Sequence, residues 1–253
     1  MKIAVCVKAV PDAAAGRRLD PGTKRLDRSS ELAISDFDTY AVEEGLKLKE
    51  AAGDGEVVVV SMGPERAMDA LRKALAMGAD RAVLVSDASL EGADLLGTAK
   101  ALAGALEKES PDLVLFGQQS ADGGGAVLWA AVAEKLRQPV ISQASELTVE
   151  SGSVTGKRQT EFGYDSIRAP LPAIVAVSDS INTPRYPSLK GIMGAKKKPQ
   201  DVLSAGDVGG AGDVGTTVVE LSPPPARGEA RKIEDDGSAG EKIVEFLAEK
   251  RLV

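Results

Sequence analysis

The feature that most limits how this chain can fold is a rhythm. Up to residue 140, short aliphatic runs alternate with longer amphipathic stretches. Lys2–Val7, Glu56–Ser61, Arg81–Val85 and Leu113–Gly117 are dominated by valine, leucine and alanine, the composition of strands buried on both faces. The intervening stretches predict helices over Asp38–Ala52, Pro64–Met77, Gly92–Glu109 and Gly125–Leu136. Asp36 reads as the first N-cap, Pro64 suits a first helical turn, and Met68, Leu71 and Leu75 recur at helical spacing. Such alternation predicts an α/β fold with a mostly parallel sheet covered by helices on both faces.

Three segments depart from that rhythm. Asp20–Thr23 (DPGT) is a turn signal between arginine-bearing arms, which predicts a hairpin insertion over residues 12 to 35. After Val140, Ala144–Glu150, a turn at Ser151-Gly152, and Val154–Glu161 read as a hairpin added to the sheet, followed by a core strand in Leu171–Val177. Beyond Pro199, Gly206–Gly215 repeats a flexible glycine unit and Ser222–Arg227 is an extended linker. A last helix over Ala239–Leu252 carries Ile243, Val244, Phe246 and Leu247 on one stripe. The boundaries that follow are 1–199 for the main domain and 200–253 for an arm, which packs either on a partner or back on its own chain.

Composition removes most of the common catalytic inventory. With no histidine and one cysteine, Cys6, the chain has no Ser-His-Asp or Cys-His system, no histidine base, and no ligand set for zinc or an iron–sulfur cluster. A single cysteine forms no internal disulfide, which fits a reducing compartment. No stretch is long enough to span a membrane, and five apolar residues from Ile3 to Val7 are too few for a signal-peptide core. A net charge of −7 disfavours general nucleic-acid binding. The expectation is a soluble intracellular protein.

Open parallel sheets bind ligands at the carboxyl ends of their strands. Three loops there stand out: Cys6-Val7-Lys8, Ser61-Met62-Gly63-Pro64, and Gly117-Gln118-Gln119-Ser120-Ala121-Asp122-Gly123-Gly124-Gly125. Three consecutive glycines before a helix allow close backbone approach to a phosphate. A tight turn needs glycine equally well, and neither a Walker lysine nor a strict GxGxxG is present. Asp122 fits an N-cap or a contact to a hydroxyl or ring nitrogen. Asp36, Phe37 and Asp38 form another wall of the same pocket, or merely a cap and a core aromatic.

Asn182–Pro199 (NTPRYPSLKGIMGAKKKP) carries a different kind of signal. Pro184 and Pro187 stiffen the loop around Tyr186, ahead of Leu189, Ile192 and Met193, and Lys196, Lys197 and Lys198 follow. Gly191 and Gly194 argue against a packed helix. Apolar side chains on a stiff loop beside fixed positive charge suit a docking surface, while a buried crossing loop with a solvated lysine run is the plainer alternative.

Over nearly its whole length the chain resembles the β subunit of electron transfer flavoproteins. The resemblance rests on KIAVCVKAVPD (Lys2–Asp12), AVEEGLKLKE (Ala41–Glu50), ALAMGADRAVLV (Ala74–Val85), PDLVLFGQQSAD (Pro111–Asp122), LPAIVAV (Leu171–Val177) and PRYPSLKGIMGAKKKP (Pro184–Pro199). It implies a doubly wound, adenine-nucleotide-binding sheet of flavodoxin-like topology and a non-catalytic partner of an FAD-carrying α subunit. It also implies transfer of electrons from acyl-CoA and related dehydrogenases to a membrane quinone oxidoreductase. In the family an AMP of structural use occupies the β subunit. Its contacts carry over to Cys6, Ser35, Asp36, Phe37, Asp38, Met62 and the run from Gly117 through Ala126, Val127 and Leu128, with Phe37 also near the flavin ring. The docking leucine carries over to Leu189, whose insertion into a partner pocket contributes roughly 1.5–3 kcal/mol.

One departure concerns AMP. Where relatives carry a polar run that helps hold the phosphate, this chain has Gly123-Gly124-Gly125-Ala126-Val127, and Trp129 replaces a usual glycine. Two other readings stand beside the carrier. One is a relative that binds a second FAD and bifurcates electrons; the other is a stand-alone nucleotide sensor resembling universal stress proteins. Absence of a targeting segment points to a bacterial cytoplasm, and a processed chain of the mitochondrial matrix would look the same.

Overall fold

A computed structural model describes residues 1–12, 14, 16–210, 212, 214–226 and 232–253. The first half of the chain forms β1 (Lys2–Cys6), β2 (Ala9–Pro11), β3 (Leu19–Asp20), β4 (Arg25–Leu26), β5 (Leu32–Ile34), α1 (Asp36–Ala52), β6 (Glu56–Met62), α2 (Met68–Met77), β7 (Arg81–Val85), α3 (Leu95–Glu109) and β8 (Leu113–Gly117). There follow α4 (Leu128–Leu136), β9 (Val140–Glu150), β10 (Ser153–Thr160), β11 (Gly163–Pro170), β12 (Ala173–Val177), α5 (Leu189–Ala195), β13 (Gln200–Leu203) and α6 (Ala239–Glu249). Contacts divide the described chain into two units, Met1–Val218 and Val219–Val253.

The first unit is built on a nine-stranded sheet ordered β11-β10-β9-β12-β8-β1-β6-β7-β13. From β9 to β13 every neighbouring pair is parallel; β10 and β11 add antiparallel strands at one edge. Side chains alternate across the parallel strands, so β1 gives Ile3 and Val5 to one core layer and Ala4 and Cys6 to the other. The first layer is closed by α1 and α2 and the second by α3 and α4. Burial on both faces is why these strands read as continuous aliphatic runs. Most of β11 is exposed or half-buried, with Ala169 its one buried residue, and its weak apolar signal left it unread in the sequence.

The insertion forms two small antiparallel pairs, β2 with β5 and β3 with β4. Its turn is fixed by Asp20, whose Oδ1 accepts the Thr23 amide at 2.6 Å and the Thr23 hydroxyl at 3.0 Å.

Several expectations are corrected. Ser35, rather than Asp36, precedes α1 as its N-cap residue. The helix expected from Gly125 starts at Leu128, with Val127 as N-cap. Gln200–Leu203, left to the arm by the sequence pattern, pair in parallel with β7; four residues are too few for a periodic signal. Part of the glycine-rich segment is packed rather than loose. Gly206–Val208 makes a 3-10 turn with Val208 buried, and only a glycine at position 104 of α3 leaves room, since a Cβ there would lie 2.3 Å from the Val208 carbonyl oxygen.

In the second unit, α6 ends at Glu249, and its approach is fixed by Asp236, which accepts the Ser238 amide at 3.1 Å and pairs with Lys242 at 2.9 Å. Ile243 and Val244 stay exposed. Among the described residues no helix is long and apolar enough to cross a membrane.

Candidate functional site

Strand order reverses direction beside β1: the chain builds β6, β7 and β13 on one side of it, and β8, β12 and β9 on the other. At such a switch point the two flanking loops diverge, which opens a crevice at the carboxyl ends of the strands. The ends of β1 and β8 meet there against the start of α1. Gly117, last residue of β8, is needed for that approach. A Cβ on it would fall 2.6 Å from Asp38 Oδ1 and from the Phe37 backbone.

Several of the expected nucleotide residues lie at these strand ends and at the head of α1. Cys6 is buried at the end of β1; burial, then the Asp38 carboxylate, pushes its thiol well above the usual range. A thiol so held stays protonated and is a small apolar wall, not a nucleophile. Ser35 is fully buried and its Oγ accepts the Ala121 amide at 3.1 Å, joining the β8 loop to the head of α1. Asp36 is exposed, while Phe37 and Met62 are half-buried. Asp38 is 6% exposed, and its Oδ2 accepts the Lys8 amide at 2.7 Å. Burial pushes the Asp38 carboxyl up to about 7, against the lowering effect of that hydrogen bond and of the Lys8 charge.

Asp122 takes a role that sequence reasoning did not foresee. It caps no helix; its nearly enclosed side chain pairs with Lys8 at 2.9 Å and with the Arg28 guanidinium. Despite burial, those cations hold its carboxyl far below the usual carboxylate range. Arg17 donates to the neighbouring Ala121 carbonyl, so the insertion is tied to the loop after β8. Lys8 and Arg28 were absent from the expected site. Lys8 lies in a loop the sequence marks, but the Arg28–Asp122 pair spans 94 residues and leaves no local pattern.

The glycine loop divides in two. Gly123 and Gly124 donate inward, to Ser120 Oγ at 3.2 Å and Ser120 O at 3.0 Å. By contrast, among the described residues no hydrogen bond within the chain is donated by the backbone amides from Gly125 to Trp129. Val127 supplies no side-chain cap, and a Cβ at Gly125 would meet nothing within 4 Å. The Trp129 indole N–H bonds the Gln118 carbonyl at 3.1 Å. An open run of unpaired donors at the start of α4 fits a phosphate even without the polar side chains that the run lacks.

The second expected surface is a helix after all. Ser188 caps α5, accepting the Gly191 amide at 3.0 Å. Gly191 does not break the helix; it lets α5 pack on α2 so closely that a Cβ would lie 2.3 Å from the Ala76 carbonyl oxygen. The packed side of α5 is therefore Gly191 and buried Ala195, and its large residues face outward. Tyr186 is 96% exposed, Leu189 75%, Met193 70% and Ile192 55%. Lys190, Lys196 and Lys197 are exposed beside them, but Lys198 is turned inward, where its ammonium donates to the carbonyls of Leu75 at 2.9 Å and Ala79 at 2.5 Å. It closes the end of α2 and adds no free charge to the surface.

Residues 23–208 match the family model described as electron transfer flavoprotein domain. The chain is 41% identical to "Electron transfer flavoprotein subunit beta" of Mycobacterium tuberculosis, with 99% of each chain covered. The chain belongs to the electron transfer flavoprotein β-subunit family. The protein of the same name from Syntrophomonas wolfei is 39% identical, covering 98% of this chain and 96% of its own. A third relative, "Caffeyl-CoA reductase-Etf complex subunit CarD" of Acetobacterium woodii, is 34% identical with both chains fully covered. Membership makes this electron transfer flavoprotein subunit an electron-carrier component rather than an enzyme.

Proposed function

We propose that this chain is the β subunit of a heterodimeric electron transfer flavoprotein, paired with an α subunit that holds FAD. It carries electrons from acyl-CoA-type dehydrogenases toward a membrane quinone oxidoreductase, as in fatty acid oxidation in a bacterial cytoplasm. The observation that carries the docking half of this reading is the inverted packing of α5. A helix that buries glycine and alanine and exposes leucine, isoleucine and methionine is stabilised only in part until a partner covers it. Lys190, Lys196 and Lys197 favour a partner pocket rimmed by carboxylates.

Bound FAD supplies the redox chemistry, accepting and releasing electrons. This chain's part is placement. Phe37, at the head of α1, would lie near the flavin ring, and the arm that includes α6 would pack on the α subunit. The amides from Gly125 to Trp129 would hold the phosphate of an AMP, and Cys6, Ser35, Asp38 and Met62 would line its adenosine end. The open amides favour a phosphate; the scarcity of side-chain donors disfavours a second FAD.

Replacing Leu189 by alanine in the purified heterodimer tests the docking role. Electron transfer from an acyl-CoA dehydrogenase slows while flavin content stays constant; an unchanged rate counts against it. Cofactor analysis of the native complex tests the rest, with one FAD and one AMP expected per heterodimer. Two FAD would mean bifurcation, and a colourless single-chain assembly a nucleotide sensor.

A further inference from the structure

The docking surface is reached by a segment with few fixings of its own. Among the described residues, no backbone–backbone hydrogen bond is donated from Asn182 through Ser188. Side chains hold this segment to α1 instead. The Asn182 amide group donates to the Tyr40 carbonyl and to Glu44 Oε2, each at 3.0 Å. Arg185 makes a two-sided grip. Its amide and Nε donate to Glu43 Oε2 at 3.1 and 2.8 Å, and Nη2 to Glu43 Oε1 at 2.9 Å. Toward Glu50, Nη1 donates to Oε1 at 2.5 Å and Nη2 to Oε2 at 3.0 Å.

Glu43 and Glu50 are seven residues apart, so they share one face of α1 about 10 Å apart along its axis. A planar guanidinium can engage two carboxylates through two edges at once, which an ammonium cannot. The Glu43 side chain is 7% exposed, so the pair is well shielded there; Glu50, at 56%, is the outer contact. The grip sits immediately before Tyr186 and four residues before Leu189. Pro184 and Pro187 flank it and limit the backbone's alternatives.

We infer that Arg185, clamped between Glu43 and Glu50 of α1, is the positioning residue of the docking surface. It fixes the approach to α5 before any partner arrives, so that the partner does not have to order the loop. The inference rests on the docking role of Leu189, and its test separates the two. In purified heterodimers carrying Arg185→Met, Arg185→Lys, Glu50→Gln or Leu189→Ala, two quantities are measured. One is hydrogen exchange in peptides spanning residues 183–194; the other is the KM and kcat of an acyl-CoA dehydrogenase for the heterodimer as electron acceptor.

Arg185→Met and Arg185→Lys are expected to accelerate exchange and raise KM on the order of tenfold, with kcat within about twofold of wild type. Failure of lysine to rescue is part of the expectation, because charge alone does not reproduce the fork. If Arg185→Met does not fold, Glu50→Gln weakens the outer contact alone and should speed exchange and raise KM, each by roughly threefold. Unchanged exchange in the Arg185 variants overturns the clamp whatever the kinetics do, as does a fall in kcat at constant KM. If Leu189→Ala leaves KM unchanged, the docking reading fails while the exchange data still judge the clamp.

Discussion

The backbone amide of Lys8 donates to the buried carboxyl of Asp38 at 2.7 Å, while the ammonium of the same lysine reaches Asp122 at 2.9 Å. One residue thus serves two carboxyls whose pKa values are moved in opposite directions. Burial pushes Asp38 up to about 7. A folded-state value above the unfolded one means that folding takes up a proton. The contribution of Asp38 to stability therefore falls as pH rises from about 4 to about 7 and then levels off. The difference in unfolding free energy between wild type and Asp38→Asn isolates this effect. Relative to the variant, wild type should lose a few kcal/mol across that window. A flat difference would mean that the carboxyl is ionised in the fold without penalty.

Asp122 behaves in the opposite sense. Lys8 and Arg28 hold it below the usual carboxylate range, so its contribution is present above the unfolded value near 4 and is lost as pH falls below it. Both cations are partly open to solvent, which screens the pairs. Asp122→Asn should lower the unfolding free energy at pH 7 by about 1–3 kcal/mol, and the deficit should shrink in acid. Denaturant midpoints at pH 7 and pH 3 check this. The variant should also loosen the insertion, since Arg28 then has a weaker partner.

The sheet and its helices were legible because burial on both faces of β1, β6, β7 and β8 writes uninterrupted aliphatic runs into the chain. β13 and α5 were not, for different reasons. β13 is too short for periodicity, and α5 inverts the usual rule by burying its smallest residues. At the crevice, Gly117 and the β8 loop were readable as a strand end followed by glycine. The long-range pairs Arg28–Asp122 and Arg185–Glu43 had no such local mark. The seven-residue spacing of Glu43 and Glu50 was the one hint, a shared helix face awaiting a cation.

Two glycines of α5 should respond differently to the same change. At Gly191 an added methyl would lie 2.3 Å from the Ala76 carbonyl, a backbone atom that cannot rotate away. Gly191→Ala should push α5 off α2, cost about 1–3 kcal/mol, and slow electron transfer from a dehydrogenase. At Gly194 the added methyl would meet nothing within 4 Å. Gly194→Ala should stabilise α5 by up to about 1 kcal/mol through helix propensity. Paired thermal melts and transfer rates check both.

The last test concerns what the glycine loop is for. A turn that merely needs glycine and a cradle that needs bare backbone differ at Gly125. Its φ lies outside the left-handed region, and an added Cβ would meet nothing within 4 Å. The fold therefore does not require glycine there, and Gly125→Ala should change the unfolding free energy by less than about 0.5 kcal/mol. Its amide opens the run of unpaired donors at the head of α4, so a methyl at that point crowds a bound phosphate without disturbing the empty protein. Isothermal titration with AMP should show weaker binding, by roughly tenfold, at unchanged melting temperature. Loss of stability together with unchanged AMP affinity would assign the glycine to the turn instead.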